Sequence, residues 1–171
     1  VREAVGINEV HNFGKYLVKG DGARAWLDRI MAGRMPKLGR LSLTPMLSPK
    51  GKLVGDFTVS CLAEDEFQLT ASYGSQAYHW RWFKKHEEDG VTLENISDKR
   101  NGFQISGPNA RAVLSACTLT DISEMKFMDV RPMTVGMTDC LVQRVSYTGD
   151  LGYEIYCNPM GQRNLWNTLW G

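Results

Sequence analysis

An internal repeat constrains the fold of this sequence more than any other feature. Residues 20–27, G-D-G-A-R-A-W-L, resemble residues 107–114, G-P-N-A-R-A-V-L. Each segment follows a short predicted strand and begins a predicted helix, and each is then followed by two strands and a second helix. Two copies of a β-α-β-β-α unit predict an α+β protein with two split-βαβ, ferredoxin-like lobes and antiparallel sheets.

Hydrophobic periodicity places the elements of both copies. The clearest strand covers residues 53–62, and residues 67–71 are expected to pair with it. Pro45 is expected to interrupt the strand in which it lies, because proline removes a ladder donor. Further strands are predicted at 13–19, 42–47, 91–96, 103–105, 130–135, 138–146 and 153–157, and helices at 23–31, 74–88, 108–117 and 164–170.

The lobe boundaries follow from the repeat. Lobe one is expected to cover roughly residues 1–98 and lobe two roughly residues 99–171. No strand follows the second helix of lobe two, so we expect this lobe to lack its last strand. The sequence begins at Val1 without an initiating methionine and stops just after a helix. We therefore expect a truncated portion of a longer fold.

Composition and charge exclude several classes of function. Hydrophobic residues make up 43% of the chain and charged residues 23%, which is ordinary for a globular protein with a packed core. The formal net charge of +1 creates no field that favours nucleic acid or an anionic membrane. No apolar run approaches the length of a membrane span, and no signal peptide is visible. We expect no nucleic-acid or membrane partner, and a cytoplasmic location or, in a eukaryote, the mitochondrial matrix.

The spacing of cysteine and histidine predicts no metal site. No two cysteines form a C-x-x-C pair, and the histidines lack the spacing of metal ligands. Isolated cysteines in apolar strands are usually small buried side chains that stay reduced. The residues concerned are Cys61, Cys117, Cys140, Cys157, His11, His79 and His86.

Asp56 is the most informative single residue of the first half. It interrupts the apolar run L-V-G-D-F-T-V directly after Gly55. A buried carboxylate is costly unless it is paired or serves a function, and a glycine in a strand often permits close approach by a ligand or by backbone. The alternative is that Asp56 marks a strand edge or points to solvent.

Residues 144–155, R-V-S-Y-T-G-D-L-G-Y-E-I, are expected to form two strands joined by a tight turn. Strand alternation places Glu154 on the opposite side from Tyr153 and Ile155. A carboxylate beside the turn residue Tyr147 suits hydrogen bonding to a planar polar ligand. The alternative interpretation is a polar hairpin with no ligand.

Four segments resemble motifs that occur together, in this order, in one family. Residues 2–20 resemble its opening strand region, and residues 46–60, M-L-S-P-K-G-K-L-V-G-D-F-T-V-S, its G-G-x-x-D-D segment. Residues 104–110 resemble its x-x-G-P-x-A helix entry, and residues 144–155 its Y-T-G-E-x-G-[FYW]-E signature. The family is that of the folate-binding aminomethyltransferases, which includes the T protein of glycine cleavage. The resemblance spans essentially the whole chain.

Within this family, the phrases P-K-G-K before Asp56 and T-V-S after it look closest to the T-like C-terminal regions of dimethylglycine and sarcosine dehydrogenases. The resemblance implies a region that passes a one-carbon unit from a small amine substrate to tetrahydrofolate. It also implies FAD, held in a flavin domain that precedes these residues in the same longer chain.

The resemblance assigns roles to three residues. Asp56 takes the place of the catalytic carboxylate near the nitrogen of folate that receives the one-carbon unit. Tyr147 and Glu154 take the positions of cofactor-binding residues, with Glu154 accepting hydrogen bonds from the N–H groups of the pterin. No residue is implied as a metal ligand.

The chain also departs from the family pattern. Gly55 stands where the first aspartate of the D-D pair is expected, and Leu43 and Met128 stand where the glycine-cleavage enzyme tends to carry tyrosines. Ser72 replaces an asparagine. These changes argue against glycine cleavage with a lipoyl carrier more than against folate binding.

Several alternatives stay open at this stage. The fold is compatible with a stand-alone aminomethyltransferase-like enzyme, with a tetrahydrofolate-dependent demethylase, and with a non-catalytic folate-binding or assembly module. The residues identify neither the one-carbon donor nor the oligomeric state. Part of the family's folate pocket lies beyond Gly171, so the isolated fragment is expected to be inactive.

Overall fold

A computed structural model describes residues 1–171 as ten strands and four helices. The strands are β1 (Gly6–Glu9), β2 (Gly14–Lys19), β3 (Leu41–Leu47), β4 (Leu53–Ala63), β5 (Glu66–Ala71), β6 (Thr92–Asn95), β7 (Asn101–Ser106), β8 (Val130–Val135), β9 (Thr138–Gln143) and β10 (Gly152–Cys157). The helices are α1 (Ala23–Ile30), α2 (Gln76–Lys85), α3 (Ala110–Cys117) and α4 (Gln162–Trp170). None of the helices combines the length and the apolar character that a membrane crossing requires.

The chain divides into two compact units. The inserted unit is Phe13–Ser97, and the outer unit combines Val1–Asn12 with Asp98–Gly171. Each unit contains one five-stranded sheet in which every pairing is antiparallel. The predicted α+β class with two antiparallel sheets is therefore confirmed. The expected number of strands between the two helices of each copy is wrong, because three strands and not two lie there: β3, β4 and β5 in the inserted unit and β8, β9 and β10 in the outer unit.

The inserted unit has the strand order β3-β4-β5-β2-β6. Alternate residues of its central strands face α1 and α2, because the strand period of two turns every second side chain to the same face. Apolar side chains of the strands and of both helices form the core, which includes Tyr16, Trp26, Phe57, Val59, Phe67, Leu69 and Phe83.

The outer unit has the corresponding order β8-β9-β10-β7-β1. Its core lies between the sheet and the helices α3 and α4, and it is separate from the core of the inserted unit. The buried side chains include Phe103, Ile105, Leu114, Val142, Tyr153, Ile155 and Leu165.

Equivalent turns support the internal repeat. Gly20 and Gly107 both have a positive φ, of 117° and 128°, and at either position a Cβ would overlap a backbone carbonyl oxygen. The N–H of Gly20 donates to the carbonyl of Asp65 (3.0 Å) and the N–H of Gly107 to that of Leu151 (2.8 Å). Only glycine tolerates this combination of backbone angle and close approach. The two copies therefore enter their first helices through the same turn.

The first strand of the chain corrects two expectations. Residues 1–12 belong to the outer unit, not to the lobe that residues 13–97 form, because β1 pairs with β7 from Gly6↔Ser106 to Glu9↔Phe103. In the sheet order, β1 occupies the position that β6 holds in the inserted unit. The strand that we expected to be missing from the outer unit is thus present: β1, from the start of the chain, occupies the position beside β7. Local sequence gave no signal for this long-range pairing.

Two local expectations also need correction. Pro45 does not break β3, because β3 lies at the sheet edge with β4 as its one neighbouring strand. Its outer side makes only an isolated bridge between Met46 and Met31, in which the carbonyl of Pro45 accepts the N–H of Ala32 at 2.8 Å and no donor from Pro45 is needed. Residues 144–151 form an eight-residue loop and not a tight turn. Arg144 exchanges backbone hydrogen bonds with residues 128 and 129 and does not pair with β10, whose ladder with β9 stops at Glu154↔Gln143.

Candidate functional site

Glu154 lies in the middle of β10 on the face away from the helices. Its neighbours Tyr153 and Ile155 are in the core of the outer unit, so the predicted alternation is confirmed. Glu154 is only 8% exposed. The hydroxyl of Tyr156, two residues along on the same face, donates to Glu154 Oε2 at 2.8 Å. The carboxylate is therefore held by a neighbouring hydroxyl in a mostly buried setting.

Glutamine flanks Glu154 on both neighbouring strands. The register pairs Glu154 with Gln104 of β7 and with Gln143 of β9. Both glutamines are fully buried, and neither amide atom of Gln143 has a hydrogen-bond partner. The central row of this sheet face is thus polar across three strands, whereas the opposite face is apolar.

Tyr147 lies in the loop that leads into β10. Its side chain is 84% exposed, while its backbone N–H donates to Gln104 Oε1 at 2.9 Å. Within the loop, Ser146 Oγ donates to the carbonyl of Asp150 at 2.6 Å. Gln104 therefore contacts the loop that carries Tyr147 and pairs in register with Glu154. These two predicted site residues belong to one region of the outer unit.

Sequence reasoning did not identify Gln104. The only signal was a polar residue between Phe103 and Ile105, in a strand whose other face is core. Strand alternation alone makes such a residue a solvated side chain. Its contact with Tyr147 spans 43 residues of sequence and follows from the pairing of β7 with β10.

Asp56 lies in the inserted unit and is exposed. It is on β4 opposite Pro45 of the edge strand, and its side chain faces away from the core that Phe57 enters. The interpretation as a buried carboxylate is wrong, and the alternative of a solvent-facing carboxylate fits. The exposed position leaves the carboxylate accessible to a ligand, so its catalytic role stays a prediction.

The glycine before Asp56 makes room for a histidine, not for a ligand. A Cβ at Gly55 would overlap His79 Nε2, and it would lie 2.6 Å from the ring of Phe57. His79 is buried on α2, and its ring bonds the backbone of Val54 while Nδ1 has no partner. Burial lowers the pKa of His79, and the hydrogen bond to Val54 opposes this in part. The imidazole of His79 thus packs against Gly55, on the core side of the strand from which Asp56 points to solvent.

The departures from the family pattern lie at accessible or unusual positions. Leu43 is exposed on the edge strand β3. Met128 has a φ of 69° and is the only non-glycine residue with a positive value. Its N–H donates to the carbonyl of Arg144 at the start of the Tyr147 loop. Neither side chain can supply the hydroxyl that a tyrosine would.

The fold defines the class of protein to which this chain is similar. The crystal structure of the glycine cleavage system aminomethyltransferase T from Bartonella henselae superposes with a TM-score of 0.89 at 24% identity. The superposition covers 99% of this chain and 46% of that one. At this identity the likeness concerns the fold, which is that of an aminomethyltransferase.

The chain belongs to the family described as the GCVT N-terminal domain, which matches residues 1–171. Human mitochondrial dimethylglycine dehydrogenase is 34% identical over 161 residues, which is 91% of this chain and 19% of that protein. The aminomethyltransferase of Halothermothrix orenii is 28% identical over 171 residues, which is 99% of this chain and 48% of that protein. The chain thus spans about a fifth of the one relative and about half of the other.

Proposed function

We propose that this chain is part of a tetrahydrofolate-dependent one-carbon transfer region of a flavin-dependent dehydrogenase of the dimethylglycine or sarcosine type. The family match over the whole chain and the similarity to human dimethylglycine dehydrogenase support the proposal. The observation that carries it is the region formed by Glu154, a mostly buried acceptor, and Tyr147, an exposed aromatic ring whose loop is bonded to the adjacent strand.

The residues of this region fit a pterin. A pterin presents several N–H groups at the edge of a flat ring, and a carboxylate is a strong acceptor for such groups. Glu154 supplies the carboxylate, and the exposed ring of Tyr147 supplies a surface for stacking or edge contact. Tetrahydrofolate, when bound, supplies the nitrogen that takes up the one-carbon unit. These residues orient it and exclude water from one edge of its ring.

Asp56 has a separate role in the proposal. An exposed carboxylate on a rigid strand can hydrogen-bond an amine and stabilise positive charge that develops on the one-carbon donor. We assign this function to Asp56 on the basis of its place after the P-K-G-K phrase. The substrate is then a small N-methyl amine, and FAD belongs to a flavin domain of the same longer chain. The corresponding location is the cytoplasm or, in a eukaryote, the mitochondrial matrix.

The first experiment tests Glu154 in the full-length protein. Glu154→Ala is expected to weaken tetrahydrofolate binding by about 100-fold and Glu154→Gln by about tenfold, because a charge-assisted hydrogen bond is lost or made neutral. Titration calorimetry under reducing conditions measures both. Glu124→Gln, at an exposed position of the same unit, is the matched control and should bind as the parent does. Unchanged affinity in Glu154→Ala rules out the assignment of the pterin site.

The second experiment tests Asp56. Asp56→Asn is expected to lower the rate of methylene-tetrahydrofolate formation by about 100-fold with little change in folate affinity, because the carboxylate acts on developing charge. Asp28→Asn, an exposed aspartate on α1 of the same unit, serves as the control. A parent-like rate in Asp56→Asn would remove Asp56 from the catalytic machinery.

A stand-alone aminomethyltransferase is the second candidate. It is favoured by the Halothermothrix orenii relative, which aligns with 99% of this chain. The two candidates differ in whether the full-length protein carries a flavin. An absorption spectrum of the purified full-length protein distinguishes them, since a bound flavin absorbs visible light. A colourless protein that still binds tetrahydrofolate would favour the second candidate.

A further inference from the structure

Gln104 makes two hydrogen bonds from a fully buried position. Its Oε1 accepts the backbone N–H of Tyr147 at 2.9 Å, and its Nε2 donates to Ser106 Oγ at 2.7 Å. A backbone N–H can only donate, so the oxygen of the amide must face Tyr147. The orientation of the side chain is therefore determined by its partners, and the amide has no second arrangement of equal energy.

The bond from Gln104 attaches the middle of the loop to the sheet. The other hydrogen bonds of residues 146–150 stay inside the loop: Ser146 Oγ donates to the carbonyl of Asp150, and the N–H of Asp150 donates to Thr148 Oγ1. At the ends of the loop, Arg144 bonds to residues 128 and 129 through its backbone and to Tyr153 through its side chain, and the carbonyl of Leu151 accepts the N–H of Gly107. The middle of a loop that is held only at its ends can move unless a further contact fixes it to the sheet. For Tyr147, that contact is Gln104.

Gln104 also lies beside Glu154. The two residues are direct partners in the β7–β10 register and occupy the same face of the sheet. One side chain therefore relates the loop position of Tyr147 to the strand position of Glu154. A binding site needs its groups held within about 0.5 Å of the productive geometry, and buried supporting hydrogen bonds provide this.

The inserted unit shows that the repeat itself does not require the carboxamide. Gln104 lies three residues before Gly107, and Leu17 lies three residues before the equivalent Gly20. The connection between β4 and β5 is two residues long, whereas the equivalent connection between β9 and β10 has eight. The glutamine is thus present in the unit that has a long loop to anchor.

We infer that Gln104 is a positioning residue that holds Tyr147 in place relative to Glu154 for binding of the pterin. The inference rests on the proposed function for its ligand, although its structural part concerns the loop alone. Gln104 does not touch the ligand in this assignment. It acts through the backbone of Tyr147.

Two variants test the inference in the full-length protein. Gln104→Met keeps the volume but removes both hydrogen bonds, and Gln143→Met is the matched control. Gln143 is equally buried and flanks Glu154 on its other side, but its amide has no partner. Gln104→Met is expected to weaken tetrahydrofolate binding by about tenfold, and Gln143→Met by less than about twofold. Equal losses in the two variants would overturn the inference.

A double-mutant cycle separates positioning from general damage. In a Tyr147→Ala background, Gln104→Met should cost less than about twofold in affinity, because the ring it positions is absent. In a Glu154→Ala background the loss should stay near tenfold. A full loss in the Tyr147→Ala background contradicts the inference. If Gln104→Met fails to fold, Gln104→Asn replaces it, since its amide is one methylene too short to reach the loop.

Hydrogen exchange gives a readout that needs no ligand. The amide of Tyr147 should exchange at least about tenfold faster in Gln104→Met than in the parent, and at the parent rate in Gln143→Met. Unchanged exchange overturns the inference even where binding is lost. If exchange rises as expected but Tyr147→Ala and Glu154→Ala bind tetrahydrofolate normally, the proposed function fails while the role of Gln104 in the loop stands.

Discussion

The inserted unit and the outer unit have the same sheet order but differ in the length of one connection, which joins β4 to β5 in the inserted unit and the equivalent strands β9 and β10 in the outer unit. In the inserted unit two residues join β4 to β5, and in the outer unit eight residues join β9 to β10. The predicted pterin-binding residues lie in or just after the longer connection. The repeat thus provides the common framework of both units, and the candidate binding region lies where the two copies differ.

The two sheets also differ in the polar residue at the middle of their central strands, β5 and β10. Glu154 of β10 corresponds to Gln68 of β5, since each pairs with the residue three positions before the equivalent glycine. Gln68 is fully buried and neither of its amide atoms has a partner, whereas Glu154 accepts the hydroxyl of Tyr156. One unit thus holds a carboxyl acceptor where the other holds an amide.

The second helices differ as well. Each follows a three-residue 3₁₀ turn, and the fourth residue of the helix is His79 in α2 and Leu165 in α4. Both side chains are buried. The inserted unit therefore has a titratable group in its core where the outer unit has an apolar one.

The largest expected effect on stability concerns the equivalence of the turns at Gly20 and Gly107. Gly20→Ala and Gly107→Ala should each lower the free energy of unfolding by about 4 kcal/mol, because a Cβ adds left-handed strain and overlaps a backbone oxygen. Denaturant unfolding measures both. Gly51→Ala and Gly149→Ala are the controls, since these glycines also have a positive φ but nothing within 4 Å of the added carbon. They should cost about 1 kcal/mol. Clearly different losses at Gly20 and Gly107 would break the equivalence of the two turns, and similar losses at all four positions would show that the close backbone approach adds no cost.

The next largest expected effect on stability comes from exchanging the residue types at positions 68 and 154. Gln68→Glu should lower the free energy of unfolding at pH 7 by about 3 kcal/mol, because it buries a carboxylate at a site where the amide has no partner. Glu154→Gln should cost only about 1 kcal/mol, since the amide oxygen can still accept the Tyr156 hydroxyl. Thermal unfolding of both variants gives the comparison. If Gln68→Glu is tolerated as well as Glu154→Gln, the two positions do not differ in their capacity for charge.

The smallest expected effect concerns pH. Burial lowers the pKa of His79 below its ordinary value of 6.5, so the unfolded chain binds the proton more tightly than the folded protein. The stability contribution of neutral His79 is present above pH 6.5 and is lost as pH falls from there through the folded pKa. The slope approaches about 1.4 kcal/mol per pH unit.

His79→Leu, which copies Leu165 of the outer unit, tests this effect. Below pH 6.5 the variant should lose less stability with falling pH than the parent does, with the difference amounting to one proton at most. Denaturant midpoints at several pH values measure the slopes. Parallel profiles for parent and variant would mean that His79 does not distinguish the pH response of the inserted unit.

The sequence by itself determined the repeat and most of the elements. Gly20 and Gly107 marked the two helix entries because glycine alone meets the backbone requirement, and this requirement is local. Alternation placed Glu154 opposite Tyr153 and Ile155, since the period of a strand is two regardless of what packs against it. The motifs around Asp56 and residues 144–155 indicated the family that the whole-chain match then established.

Only the tertiary structure decided which strands pair over long distances and what each polar side chain meets. It placed β1 beside β7, turned Asp56 to solvent, and filled the space left by Gly55 with His79. It also linked Gln104 to Tyr147. The physical reason is common to these cases. Local propensity reports the angles and periodicity of one segment, whereas a contact between distant segments depends on the sheet order, which no single segment contains.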